Sequence, residues 1–200
     1  MPMGPPPRWL DIRSLLPGLR ELYRLSTAGS FLEYGAPIVL GSDRRLRLGD
    51  FVRGTATQVS IPNCPGRIGT VHTHGAWPHR MHLAVAGDGS ERPYMPFGST
   101  DFVSAHASEE RISIVVSAGA VIALLRPDQT PPAIAAGTLV AQFDHIWTTE
   151  GGRFCDFWVG LRCANWGLCK MLGFHWYLGD LLNAAIELKF AAEEDFYARQ

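Results

Sequence analysis

The chain has 200 residues with a nearly balanced charge, 18 Lys and Arg against 19 Asp and Glu. Apolar residues make up 46% and charged residues 18%, a composition typical of globular proteins that excludes the disordered and fibrous classes. A net charge of −1 provides no general attraction for nucleic acid or an anionic membrane surface, so we expect neither as a partner.

The first 16 residues are predicted to form a Pro-rich, loosely ordered lead-in. The run Met1–Arg8 has no apolar core of the kind found in a secretory signal. Four cysteines occur without a Cys-x-x-Cys pair, which excludes a zinc ribbon and a thioredoxin-type motif. We therefore expect reduced thiols and a cytoplasmic location. The cysteines are Cys64, Cys155, Cys163 and Cys169.

The first half of the chain is predicted to contain one helix and several strands. Apolar residues at helical spacing predict the helix over 17–25. Alternating or continuous apolar runs predict strands over 35–41, 46–48, 55–61 and 68–71. The following segment, 75–96, is rich in Gly, Pro and His and has no clean periodicity. We interpret it as a long functional loop or insertion.

The second half is predicted to begin with a helix from Asp101 to Glu110, capped by Ser99 or Thr100. Strands are predicted over 112–117, 120–126 and 137–143, and a hairpin strand over 154–161. A wide apolar face predicts an amphipathic helix over about 176–198, suited to core packing or to a homodimer interface.

These elements predict an α/β (α+β) protein with a central mixed sheet flanked by helices. The main domain is expected over 17–148, with the insertion at 75–96 inside it. Residues 149–200 are expected to form an aromatic-rich and Cys-rich appendage that packs on this domain and ends in the amphipathic helix.

The predicted strand at 68–71 runs directly into His72-Thr73-His74. Residues i and i+2 of a strand point to the same side, so both imidazoles can face one metal ion. With the carboxylate of Asp101 as third ligand, two His and one acid make a catalytic zinc set with an open fourth position. Glu33 is a second carboxylate that could take a proton from the activated water and return it to a leaving amine. Zinc is therefore the predicted cofactor.

These residues resemble the JAMM metalloproteases, also called MPN or JAB-like. In that family a Glu on an early strand is followed by His-x-His and then by Ser-x-x-Asp at the start of a helix. Here the likeness is carried by Glu33–Gly41, by the strand that ends in the His pair, and by Pro96–Phe102. It extends over residues 19–145.

The resemblance implies a JAB/MPN-like fold, zinc held by His72, His74 and Asp101, and Glu33 as general base. It also implies a peptidase or isopeptidase that cleaves a ubiquitin-like modifier or its conjugate, as bacterial relatives near conjugation and defence systems do. Proteins of such a conjugation system would be further partners.

The chain departs from the family pattern in two places. Positions 75–100 separate His74 from Asp101, a much longer interval than in the family. The family's Ser, three residues before the Asp, is Gly98 here, with Ser99 one place later. We expect Ser99 or a backbone N–H to stabilise the oxyanion in its place.

Other interpretations of the same residues remain open. The His pair could be a surface feature, Glu33 could merely begin a strand, and Asp101 could serve only as a first-turn acid. A catalytically silent MPN-like scaffold is the non-enzymatic alternative, although a pure scaffold has no need for all four residues. A cupin is a lesser rival because Gly66 precedes the His pair as in its first motif, but the motif's Glu is missing. The motifs of zinc deaminases and thermolysin-like proteases are absent.

Overall fold

The computed structural model describes residues 6–28, 32–74, 96–126, 133–154 and 157–191, together with the backbone of the short segments 83–85 and 91–93. The helices in this part of the chain are α1 (Leu16–Thr27), α2 (Ser99–Ala107), α3 (Ala136–Phe154) and α4 (Phe157–Leu172). The strands are β1 (Trp9–Asp11), β2 (Tyr34–Leu40), β3 (Leu46–Leu48), β4 (Val52–Arg53), β5 (Arg67–Thr73), β6 (Leu83–Val85), β7 (Glu91–Pro93), β8 (Ile112–Ser117), β9 (Ala120–Leu125), β10 (His175–Asp180) and β11 (Ala185–Phe190).

One mixed sheet organises the described part of the molecule. Its strands follow the order β1-β11-β10-β9-β8-β5-β2-β3, and β4 pairs with β2 outside this path. The neighbouring strands β5 and β8 are parallel, whereas the other pairs are antiparallel. Two parallel neighbours need a crossover connection, and α2 lies within it. β6 and β7 pair with each other in a separate two-stranded sheet.

The sheet is packed on both faces, and successive residues of its central strands enter different cores. On β10, Tyr177 belongs to the core beneath α1, and Trp176 belongs to the core beneath α2, α3 and α4. On β8, Ile114 and Val115 divide in the same way. Both faces of these strands are therefore buried, which explains their nearly continuous apolar sequences.

The mixed sheet with its helices confirms the predicted α+β class. The predicted helix at 17–25 is confirmed, with α1 extending slightly beyond it at both ends. The predicted strands at 35–41, 46–48, 68–71, 112–117 and 120–126 are confirmed with small differences at their ends. No helix in the described residues has the length and apolar character needed to cross a membrane.

The predicted strand at 55–61 is wrong. Its backbone is irregular, because Thr55 N–H donates to the Gln58 carbonyl in a turn and Gly54 N–H donates to the carbonyl of Glu33. The alternation of apolar and polar residues in this segment therefore does not reflect pairing in a ladder. The helix predicted over 101–110 is displaced: it begins at Ser99, ends at Ala107 and has Gly98 rather than Ser99 or Thr100 at its N-cap.

The predictions for the last third of the chain are mostly wrong. The strand expected at 137–143 and the hairpin expected at 154–161 fall in α3 and α4, which pack against each other. The helix expected from 176 is instead the antiparallel hairpin of β10 and β11, since the Asp180 carboxylate accepts N–H bonds from Leu182 and Asn183 in a tight turn. The remainder of that predicted helix, 192–198, lies outside the described residues.

Two further predictions agree with the structure only in part. Within the predicted lead-in, β1 pairs with β11 and Ile12 is fully buried, so this part belongs to the sheet. Within the predicted insertion at 75–96, the β6–β7 pair provides regular backbone; most of the remaining residues lie outside the described ranges.

Candidate metal centre

His72 and His74 lie where β5 ends at the carboxyl edge of the sheet. His72 is held in the ladder opposite Gly35 of β2 and Val115 of β8, and His74 N–H continues the parallel ladder by donating to the Val116 carbonyl. Their Nε2 atoms are 3.1 Å apart. The i and i+2 spacing therefore brings both imidazoles to one point, as predicted.

Asp101 reaches the same point from the first turn of α2. One carboxylate oxygen lies 3.3 Å from His72 Nε2 and the other lies 3.5 Å from His74 Nε2. The Gly98 N–H donates to the second oxygen over 2.7 Å, which fixes the carboxylate at the helix start. The positive end of the helix dipole favours an anion at this position. Burial alone would raise the pKa of Asp101, but the charge and hydrogen bonds of His72 and then His74 hold it well below its usual range.

The spacing of these groups suits a small metal ion. Ligands held about 2.0–2.1 Å from a tetrahedral metal are separated by about 3.3 Å. The distances from His72 Nε2 to His74 Nε2 and to the nearer Asp101 oxygen are 3.1 and 3.3 Å. The donor atoms of all three residues lie within 4.8 Å of one another, and the side chains are only partly exposed. His72, His74 and Asp101 can therefore hold a metal ion.

Glu33 lies in the same cavity as these three side chains, immediately before β2. Its backbone is tied to the neighbouring segment, since Glu33 N–H donates to the Thr55 carbonyl and Gly54 N–H donates to the Glu33 carbonyl. The residue is only 8% exposed, and this burial raises the pKa of its carboxyl group, against the opposing effect of His74 and His72. A carboxylate with a raised pKa beside a metal site is suited to proton transfer.

Ser99 is placed differently from the other predicted site residues. It is the first residue of α2, one position after the Gly98 N-cap. Near the metal group, the cavity is lined by Gly98, Thr100 and Asp101. Ser99 is not among the described residues that line the cavity. The structure thus brings together Glu33, His72, His74 and Asp101, with Ser99 adjacent in the same turn.

The cavity itself has a volume of about 660 Å³ and extends well beyond the metal group. One wall is formed by the irregular segment 56–61. The opposite end is polar and contains Arg67, Thr70, Glu110 and Ser113. A space of this size is typical of ligand and substrate sites.

Sequence reasoning missed the buried ion pair at that opposite end. Arg67 Nη2 lies 2.6 Å from Glu110 Oε1, and the Thr70 hydroxyl bonds to both oxygens of Glu110 at 3.0 and 2.8 Å. The only sequence signal was a charged residue beside each of two buried strands. Their separation by 43 positions gave no reason to link them.

Cys64, Cys163 and Cys169 are free thiols in the part of the chain that the structure describes, and Cys155 lies outside it. Burial raises the pKa of Cys163 and of Cys169, which disfavours the thiolate form that reacts as a nucleophile. Their burial supports a packing role.

Comparison of the sequence with protein-family models and with curated proteins gives no match.

Proposed function

We propose that this protein is a zinc-dependent peptidase or isopeptidase of the JAMM type. The observation that carries the proposal is the convergence of His72, His74 and Asp101 at one point, with the buried carboxyl group of Glu33 in the same cavity. These four residues come from three separate segments of the chain, and the family resemblance rests on the same four. A βαβ crossover that presents the site at a strand end is consistent with a JAB/MPN-like fold.

Zinc is the ion that best suits this donor set. Zinc accepts imidazole nitrogen together with carboxylate oxygen, whereas Ca²⁺ and Mg²⁺ prefer sites built from oxygen alone. Bound zinc would polarise the scissile carbonyl and lower the pKa of a water molecule to about 7. With three protein ligands, the fourth position of a tetrahedral site remains available for that water.

In the proposed reaction Glu33 is the general base and then the general acid. Its carboxylate accepts a proton from the attacking water, whose oxygen adds to the carbonyl carbon of the scissile bond. Glu33 then donates this proton to the leaving amine as the carbon–nitrogen bond breaks. The raised pKa of Glu33 favours the first transfer, because the carboxylate of a weaker acid accepts a proton more readily. No covalent enzyme intermediate is required.

The substrate in this proposal is the extended C-terminal tail of a ubiquitin-like modifier or of its conjugate. The cavity supports such a substrate because its lining is about equally polar and apolar and is formed on one side by an irregular segment of chain. An extended peptide is recognised through its main-chain groups and through pockets that accept alternate side chains. Proteins of a conjugation system and a cytoplasmic location belong to the same proposal.

The proposal is tested by metal analysis and by cleavage of a ubiquitin-like fusion protein. The expected result is one zinc per chain, loss of zinc and cleavage in His74→Ala, and retention of both in the matched control His145→Ala. His145 is an exposed histidine on α3. Absence of metal from the native protein would reject the site. Zinc without turnover on any modifier fusion would reject the peptidase and favour the silent MPN-like scaffold.

The cupin alternative has no support in the fold. Cupins are double-sheet jelly rolls made of strands, whereas this chain has α1 on one face of a mixed sheet and α2, α3 and α4 on the other.

A further inference from the structure

Residues 54–62, which we call the strap, connect β4 to the turn before β5 and form one wall of the cavity. Its residues 56–61 all line the cavity, and most of them are exposed. A wall of irregular chain keeps its shape only where it is fixed to the body of the protein. The contacts that fix the strap therefore decide the shape of the cavity.

The first fixed point lies beside the metal centre. Gly54 N–H donates to the Glu33 carbonyl over 2.8 Å, and Glu33 N–H donates to the Thr55 carbonyl over 2.7 Å. The chain is closely packed here, since a Cβ on Gly54 would lie 2.2 Å from the Gln58 carbonyl oxygen. One end of the strap is thus joined directly to the backbone of the proposed general base.

The strap also packs on β2. The Ile61 side chain lies against Gly35, where a Cβ would come within 2.7 Å of Ile61 Cδ1. Gly35 is paired with His72 in the sheet. This contact places the strap against β2, the neighbour of the strand that carries His72.

The second fixed point is the guanidinium group of Arg67. Its Nη1 donates to the carbonyls of Ile61 and Pro62, at 3.3 Å each, and its Nη2 donates to Glu110 at 2.6 Å. Side-chain exposure is 14% for Arg67 and 4% for Glu110, so solvent screens this arrangement little. A planar guanidinium can make these bonds at once, whereas a lysine ammonium offers only a point charge.

We propose that Arg67 is a positioning residue for the substrate: held by Glu110, which Thr70 holds in turn, it fixes the far end of the strap and so sets the width of the cavity. This inference rests on the proposed function. Because Arg67 bonds to the strap at Ile61 and Pro62, whereas Glu33 bonds to it at Gly54 and Thr55, loosening the Arg67 end should weaken substrate binding more than the chemical step.

The test compares Arg67→Met, Arg67→Lys and Glu110→Gln with the native protein. Two controls are included: Arg24→Met, from an exposed Arg–Glu pair on α1, and Leu168→Ala, which destabilises the core around α4 away from the strap. The measurements are zinc content, kcat and KM on the modifier fusion, and amide hydrogen exchange of residues 55–61.

For Arg67→Met we expect the zinc content to stay unchanged and kcat to stay within about threefold of native. Both the amide exchange rate of the strap and KM should rise about tenfold. Arg67→Lys and Glu110→Gln should raise strap exchange and KM as well, but by less. These two variants still test the proposal if Arg67→Met does not fold. Both controls should leave strap exchange at the native rate.

The proposal is overturned if strap exchange is the same in Arg67→Met and Leu168→Ala, since Arg67 would then act only on global stability. It is also overturned if kcat falls while KM is unchanged. The exchange measurement needs no substrate. It therefore tests whether Arg67 fixes the strap even if the native protein has shown no cleavage and the peptidase has been rejected.

Discussion

Each end of the cavity contains a buried glutamate, and the two glutamates have opposite electrostatic surroundings. Glu110 is 4% exposed and is neutralised by Arg67 at 2.6 Å and by the Thr70 hydroxyl. Glu33 is 8% exposed, and its burial raises the pKa of its carboxyl group despite the nearby imidazoles. A buried acid paired with a cation holds structure together, whereas one that is poorly compensated is available for proton transfer.

We expect the largest effect from a substitution at the candidate metal centre. Asp101→Ala removes one ligand and also the acceptor of the Gly98 N–H, so we expect zinc to be lost on dialysis and cleavage to fall to background. Metal analysis after dialysis and the fusion-cleavage assay check this result. Glu109→Ala, an exposed acid just after α2, is the control and should keep both properties. Zinc bound at the native level in Asp101→Ala would contradict the ligand assignment.

The structural role of Glu110 predicts the next largest effect, on stability. Glu110→Ala leaves the Arg67 guanidinium buried without its carboxylate, which should cost about 3–5 kcal/mol and lower Tm by about 10 °C. Thermal unfolding checks this value. Glu21→Ala breaks the exposed pair with Arg24 and should leave Tm unchanged within error. Equal shifts in the two variants would contradict the distinction.

The strap joins the two ends, and Gly54→Ala tests that connection. The added Cβ would lie 2.2 Å from the Gln58 carbonyl oxygen, so the backbone of the strap must move where it is bonded to Glu33. We expect kcat to fall about tenfold, because proton transfer depends on the placement of the base. The control is Gly137→Ala on α3, where a Cβ meets nothing within 4 Å and should be neutral or slightly stabilising. Native kcat in Gly54→Ala would argue against the coupling.

The comparison of the two glutamates is sharpened by the pH dependence of stability, measured on metal-free native protein and metal-free Glu33→Gln. The pKa of Glu33 is raised by folding, so its ionised form opposes folding. Below about pH 4 the acid is protonated in both states, and the variant and native protein should be equally stable. As pH rises through the interval between the unfolded and folded pKa, the native protein should lose stability relative to Glu33→Gln. A Tm difference that is independent of pH would contradict this sign.

The smallest expected effect concerns Gly98, where the JAMM pattern has a Ser. A Cβ on Gly98 would lie 3.5 Å from the nearest Asp101 oxygen, an ordinary contact, so Gly98→Ser fits without displacement. The serine hydroxyl can cap α2, which should raise stability by about 0.5 kcal/mol, and it restores the Ser-x-x-Asp spacing. We expect cleavage to rise severalfold in Gly98→Ser and not in Gly98→Ala. A decrease in Gly98→Ser would show that the site depends on the glycine.

The candidate metal ligands could be predicted from the sequence because local geometry determines their placement. A strand places His72 and His74 on one side, and a helix start favours an acid such as Asp101. The sheet then has only to bring β5 and α2 together. The pairing of Arg67 with Glu110 has no such local signal, because it depends on how distant segments pack.

The C-terminal errors arose from apolar sequences that fit two periodicities. Residues 186–190 alternate strictly between apolar and polar, with Ile186, Leu188 and Phe190 as the apolar positions, which is the strand signal. The preceding leucines concealed it by extending a helical pattern across the turn at Asp180. In α3 the opposite happened: Leu139, Phe143 and Trp147 have helical spacing, but the short apolar run around Val140 was typical of a strand.

The most direct test of the account is cleavage of a ubiquitin-like fusion by Glu33→Gln that carries its full complement of zinc. Glutamine keeps the size of the side chain but cannot accept the proton of the attacking water. We expect one zinc per chain with kcat lowered by about 10²–10⁴. Cleavage at the native rate by the zinc-loaded variant would contradict the assignment of Glu33 as the general base.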